Sequence, residues 1–272
     1  MSRSCDEAAA VSNQSAFNPN YGIQHGVYHF IKVYAEAAVS TQAVRGAVGT
    51  GWTGGVDSLF TVLENLRAKN TAYQLTHLMI ASNGAIMGTT PTDTLEKMGK
   101  KAEQGILTKL DFDLLCIDSN LLTALPENFL TVTELRHAAT ILAFQKLFKS
   151  FLVSSGIASY TYCSFRPENM SFYAFIVLGC LGTECTAFYS TGYTFTRIEK
   201  LRCLSEIPLA WQMLHPCIYA LRDNCGTCGK CIRTQLELYA LGMLERFSAV
   251  FDVARFQEKR TRYLAMLSRV EK

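Results

Sequence analysis

The sequence has no long apolar run. Its longest, Phe172 to Leu181, is half the length of a membrane-spanning helix, which needs about 20 residues. A surplus of one charge is also missing. Lys and Arg number 26 against 23 Asp and Glu, a formal net charge of +3. A basic stripe that binds nucleic acid normally shows as a far larger excess, although a modest local patch is compatible with this balance. The first twenty residues lack the apolar segment of a secretory signal and are rich in Ser, Asn and Ala. There are no internal repeats and no low-complexity linker. Together these absences predict a soluble, cytoplasmic protein with no membrane contact and no strong tendency to bind nucleic acid.

What is present is an ordinary globular composition. Hydrophobic residues make up 49% and charged residues 18% of 272 positions, enough for a sizeable core in one large or two small domains. Residues 1–40 read as an N-terminal extension, loosely attached at first and helical from about Gln24 to Ala38. Arg45 to Trp52 reads as a buried strand, and Val56, Leu59, Phe60, Leu63 and Leu66 then mark a helix running to about Lys69. Further strands are expected at Leu75–Ala81, Asp113–Asp118, Phe151–Ser155 and Cys185–Ser190. Helices are expected at Thr92–Gln104 and behind a capping box formed by Thr131 and Glu134. Alternation of this kind predicts an α/β fold, a doubly wound parallel five-stranded sheet over residues 41–195. Residues 196–272 read as an α-helical appendix. It contains a helix at Thr196–Glu206, one striped by Ile232, Leu236, Tyr239, Ala240, Met243 and Phe247, and a last one from Phe256 to Leu267.

Two motifs carry chemistry. The first is Thr53-Gly54-Gly55-Val56-Asp57-Ser58, between the first strand and its helix. A helix N-terminus offers unpaired N–H groups and the positive end of a dipole. Two glycines let an anion approach the backbone, and the hydroxyls of Thr53 and Ser58 add donors. An ordinary capped Gly-Gly turn would use the same letters. The loop is not a Walker A sequence, because it lacks the Gly-Lys-Ser/Thr ending.

The second motif lies among ten cysteines, six of them scattered as Cys5, Cys116, Cys163, Cys180, Cys185 and Cys203. The other four run Cys217-x7-Cys225-x2-Cys228-x2-Cys231. Four thiolates suit a tetrahedral Zn2+, with Gly226 and Gly229 allowing sharp turns around it and Lys230, Arg222 and Arg233 offsetting charge. An iron–sulfur cluster, disulfides and free thiols are the alternatives. A bacterial ferredoxin run would continue with x3-Cys-Pro, whereas Gln235 and Leu236 stand here.

The loop resembles the SGGxDS signature of the PP-loop ATP pyrophosphatases, with Thr53 where that family usually has Ser. The cysteine arrangement resembles that of one branch, the 7-cyano-7-deazaguanine synthases. The resemblance covers about Arg45 to Leu244 and implies a fold of the PP-loop (HUP) type. It implies ATP bound through Thr53 to Ser58, with Asp57 orienting the loop or holding Mg2+. It also implies a structural Zn2+ on Cys217, Cys225, Cys228 and Cys231. Lys200, in Ile198-Glu199-Lys200-Leu201-Arg202, would contact the released pyrophosphate, so that Asp57, Ser58 and Lys200 form the catalytic set.

The substrate end departs from that branch. Ser82-Asn83-Gly84-Ala85-Ile86 stands for a Tyr-Gly-Gln segment, Arg136-His137 for an Arg-Asn pair, and Cys163 to Pro167 keeps only an echo of Tyr-Pro-Asp-Cys-Arg. The implied reaction is therefore ATP cleavage to AMP and pyrophosphate that adenylates a different carboxylate, a small molecule or peptide, for attack by ammonia or another nitrogen nucleophile. His137 and Arg166 are candidate substrate contacts, and His215 a spare metal ligand. A sulfur-transferring enzyme using a cluster or a reactive Cys116 or Cys163 is one alternative, and an inactive nucleotide-binding scaffold another. A homodimer remains open.

Overall fold

The computed structural model describes residues 45–69, 71–84, 91–158, 169–219 and 223–267. The N-terminal extension with its expected helix at Gln24–Ala38, and Cys163, Arg166 and Arg222, lie outside these residues. Five parallel strands form one sheet: β1 (Ala47–Gly51), β2 (His77–Ala81), β3 (Asp113–Ile117), β4 (Phe148–Ser154) and β5 (Ala187–Thr191). Their order is β3-β2-β1-β4-β5. The chain thus winds outward from β1 to β3, crosses back to β4, and winds outward again to β5.

Helices cover both faces. Alternate residues of β2 show why: Leu78 and Ile80 enter one core and Met79 and Ala81 the other. The first core holds Leu59, Phe60 and Leu63 of α1 (Val56–Ala68) and parts of α2 (Pro91–Gln104). The C-terminal helices α6 (Arg197–Ser205), α7 (Pro208–Met213), α8 (Gly229–Ala240) and α9 (Val253–Leu267) join it. The second core holds α4 (Phe129–Leu142) and α5 (Ala174–Leu181) against Phe148, Phe151 and Phe188. A four-residue turn of helix, α3 (Leu121–Ala124), follows β3.

The glycines that weaken β1 as a strand have a packing reason. A Cβ on Gly49 would lie 2.6 Å from the ring of Phe148 and 2.7 Å from that of Phe151, so the strand makes room for two buried aromatics. The long apolar run is mostly α5, which packs on β5 and α4. Among the described residues no helix is long and apolar enough to cross a membrane.

Three local expectations need correction. Asn128 caps α4, its side chain accepting the N–H of Leu130 at 2.9 Å. Thr131 therefore lies inside the helix, donating to the Asn128 carbonyl, and Glu134 turns to His137. A capping box does occur at α6, between Thr196 and Glu199. The stripe from Ile232 to Phe247 is not one helix. α8 ends at Ala240, and Gly242 at φ +69° turns the chain. The N–H groups of Gly242 and Met243 return to the carbonyls of Tyr239 and Leu238, a Schellman closure. Phe247 belongs to a separate 3-10 turn. Finally, β4 begins at Phe148, three residues before the expected start.

Candidate active site: the Gly-Gly loop and the four-cysteine centre

Residues 53–58 leave the carboxyl end of the buried strand β1 and enter α1. Gly54 has φ +71°, a conformation in which a Cβ is strained, and that Cβ would also meet His215 Cβ at 3.2 Å. Two hydroxyls preset the loop. Ser58 Oγ lies 3.1 Å from Thr53 Oγ1 and donates to the Gly55 carbonyl, while Gly55 N–H donates to Thr53 Oγ1 at 3.3 Å. Gly55, the N-cap, offers no side-chain cap to α1. The first-turn N–H groups therefore face outward without a built-in acceptor from the cap.

A buried cation lies behind this loop. Lys200, on α6, is 1% exposed. Its Nζ donates to Asp57 Oδ1 at 2.9 Å and to the backbone carbonyl of Ser155, which follows β4. Arg197, one turn earlier, places Nη1 3.9 Å from Asp57 Oδ2. It is held by Glu237 at 2.9 Å and by Thr234 at 2.8 Å, both on α8. The loop after β1, the turn after β4 and α6 are thus pinned together where the strand order reverses. Open parallel sheets bind ligands at such a point, beyond the carboxyl ends of the strands.

The loop opens into a cleft of about 1010 Å3. Thr53, Gly54, Gly55, Val56, Asp57 and Ser58 all line it, together with Arg197 and His215. Lys200 does not; it sits beneath, and Arg197 is the cation that α6 presents to the cleft. Lysines of α2 and basic residues of α8 complete the wall, and Asp57 is the sole carboxylate among its described lining residues. Burial lowers the pKa of Lys101 to about 8, against the opposing pull of Asp223 and Cys217.

The same cleft touches Cys217. Its sulfur and those of Cys225, Cys228 and Cys231 all lie within 4.8 Å of one another. Two pairs, Cys225–Cys231 and Cys217–Cys228, are 4.0 and 3.9 Å apart. A ZnS4 tetrahedron with bonds near 2.3 Å has edges of about 3.8 Å, so the group could hold a metal ion such as zinc. Gly226 turns at φ +70° and its carbonyl is held by Gln235 at 3.0 Å. Burial pushes the Cys225 thiol up, but N–H groups of Thr227 and Cys228 and the Thr227 hydroxyl outweigh it and bring the thiol down to about 6. Burial drives the Cys231 thiol upward. Asn224 anchors the segment, donating to the carbonyls of Leu214 and Val250 at 3.0 Å each. Just upstream, His215 N–H donates to the Gly54 carbonyl at 2.7 Å. One strap therefore joins the cysteine centre to the Gly54-Gly55 loop.

The remaining sequence candidates lie elsewhere. His137 is on α4, 3.4 Å from Glu134, away from the cleft lining. Its neighbour Arg136 is 2% exposed and holds the carbonyls of Leu125 and Glu127. Cys116 sits on β3 with its thiol pKa raised, first by burial and then by Glu103, which opposes thiolate reactivity. His215 lines the cleft and stands outside the four-sulfur group. Sequence reasoning missed Arg197 and the lysines of α2. Arg197 had a legible signal, standing three residues before Lys200 on one helix face; the lysines read as an ordinary solvated face.

Comparison with known protein families, curated proteins and solved structures gives no match.

Proposed function

We propose that this chain is a doubly wound PP-loop ATP pyrophosphatase with a structural zinc, which adenylates a carboxylate for attack by a nitrogen nucleophile. The observation that carries this reading is the Asp57–Lys200–Ser155 clamp. It holds a donor-rich strand–loop–helix turn at the reversal of strand order, facing a basic cleft.

In this reading the β- and γ-phosphates of ATP rest on the N–H groups of residues 54 and 56–58, the Thr53 and Gly55 N–H groups being used within the loop. The substrate carboxylate attacks the α-phosphorus in line. The bond to the bridging oxygen breaks, and pyrophosphate leaves with the electron pair. A nitrogen nucleophile then attacks the acyl-adenylate, giving an amide and AMP. Arg197 and the loop dipoles stabilise the charge that develops on pyrophosphate, an electrostatic contribution already in position before reaction. Lys200 acts chiefly by fixing Asp57 and the turn after β4. Asp57 is already engaged by two cations, so Mg2+ is best supplied on the nucleotide, with Asp57 the carboxylate in the lining that can reach it. Cys217, Cys225, Cys228 and Cys231 would hold the zinc; four protein thiolates would leave it a structural role, bracing the strap that bonds to Gly54.

Incubation of the metal-loaded protein with Mg-ATP, ammonium and a panel of small carboxylic acids tests the reading. Acid-dependent release of pyrophosphate is expected. Absence of both nucleotide binding and pyrophosphate release contradicts it. Iron with acid-labile sulfide in the same sample would instead point to sulfur transfer.

A further inference from the structure

Cations in the cleft exceed what the phosphate loop uses. Lys97, Lys100 and Lys101 line it from α2, and Lys230 and Arg233 from α8. Spacings of three and four residues put each group on one helix face. Lys100 is paired with Glu96 at 2.5 Å and Arg233 with Glu237 at 2.8 Å. Lys101 lies under the opposite charges of Asp223 and Cys217, whereas Lys97 and Lys230 form no ion pair among the described residues. The cleft holds about 1010 Å3, the top of the range of about 300–1,000 Å3 for single small-ligand pockets. There is room for a second molecule beside a nucleotide.

We propose that these two basic walls form a second anion subsite, which receives a phosphate carried by the acceptor. The activated substrate is then a small acid bearing a phosphate as well as its carboxylate. The substrate assignment rests on the adenylating reading; the subsite itself does not. The nucleotide phosphates already have the loop N–H groups and Arg197. A lone carboxylate needs one cation, whereas like charges gathered on two walls repel unless a multivalent anion lies between them. A long polyanion would call for an exposed basic stripe, and the chain carries a net charge of only +3.

The test is equilibrium dialysis of labelled inorganic phosphate against the metal-loaded full chain, alone and with saturating Mg-α,β-methylene-ATP. We expect one phosphate to remain bound per chain beside the nucleotide. Replacing Lys97, Lys101 and Lys230 together with Gln should weaken that phosphate at least tenfold and change nucleotide affinity less than threefold. Zinc content and the circular dichroism spectrum verify that the variant is folded. Lys109→Gln with Lys146→Gln, outside the cleft, should change neither ligand. Loss of all phosphate once nucleotide binds overturns the proposal, because the walls then serve ATP itself. Parallel loss of nucleotide and phosphate in the triple variant overturns it for the same reason. Displacement of the phosphate by a short oligothymidylate, but not by small phosphorylated acids, would reassign the walls to nucleic acid. If the analogue fails to bind the wild type, the ATP reading falls. Phosphate uptake by the nucleotide-free chain, lost in the triple variant, would still support the subsite.

Discussion

Lys200 is 1% exposed, and its acidic partner Asp57 keeps its side chain 28% exposed. The asymmetry sets what each substitution does. Asp57→Ala leaves an ammonium buried with only carbonyl support. Breaking a buried pair typically costs 3–5 kcal/mol, so we expect a loss of about 3 kcal/mol, measured by urea unfolding. Lys200→Met leaves Asp57 within reach of Arg197, so the fold should survive. Turnover should fall by about 10^2, because the loop and the turn after β4 lose the anchor that positions them. A Lys200→Met protein with unchanged pyrophosphate release would remove Lys200 from the site. Lys101 offers a pH test. With its pKa lowered to about 8, it is charged at pH 7 and loses its charge as the pH rises through 8. Sulfate, whose own charge is constant there, should bind about threefold more weakly at pH 9 than at pH 7. Lys101→Gln should flatten that profile.

At the scale of elements, Gly49 in β1 is the most exacting position. A methyl group there meets the rings of Phe148 and Phe151 below 3 Å. Gly49→Ala should therefore destabilise by about 1–3 kcal/mol, as overpacking does. A denaturation midpoint equal to that of the wild type would contradict this packing account. The same residue shows what the sequence could and could not reveal. Short apolar segments locate all five strands, and α1, α2 and α4 read as helices, whereas α5, inside the longest apolar run, does not. The glycines of β1 read as a weakness, since the aromatics that need the space lie a hundred residues away. The cap of α4 was misplaced for a local reason: Asn128 and Thr131 both precede the apolar stripe, and only backbone geometry chooses between them. The loop and the cysteines were legible because each is contiguous. Arg197 and the α2 lysines became site residues only when the strap 212–218 brought their helices around one cleft.

Across the whole molecule, the cysteine centre and the Gly54-Gly55 loop form one structure. The strap carrying Cys217 bonds to Gly54 through His215, and α8, which begins at the last cysteines, holds Arg197. Metal removal should therefore act on the nucleotide as well as on stability. Chelation should lower the melting temperature by about 10 °C or more and weaken nucleotide binding with it. Cys228→Ser should reproduce both effects. A chelated protein that melts lower yet binds nucleotide normally would separate the two centres. We propose that ATP is cut between its α- and β-phosphates, and 31P NMR of the reaction products distinguishes that cut from one between β and γ. With metal-loaded protein, Mg2+, ammonium and an accepted acid, AMP and pyrophosphate should appear in equal amounts. ADP with inorganic phosphate would contradict it.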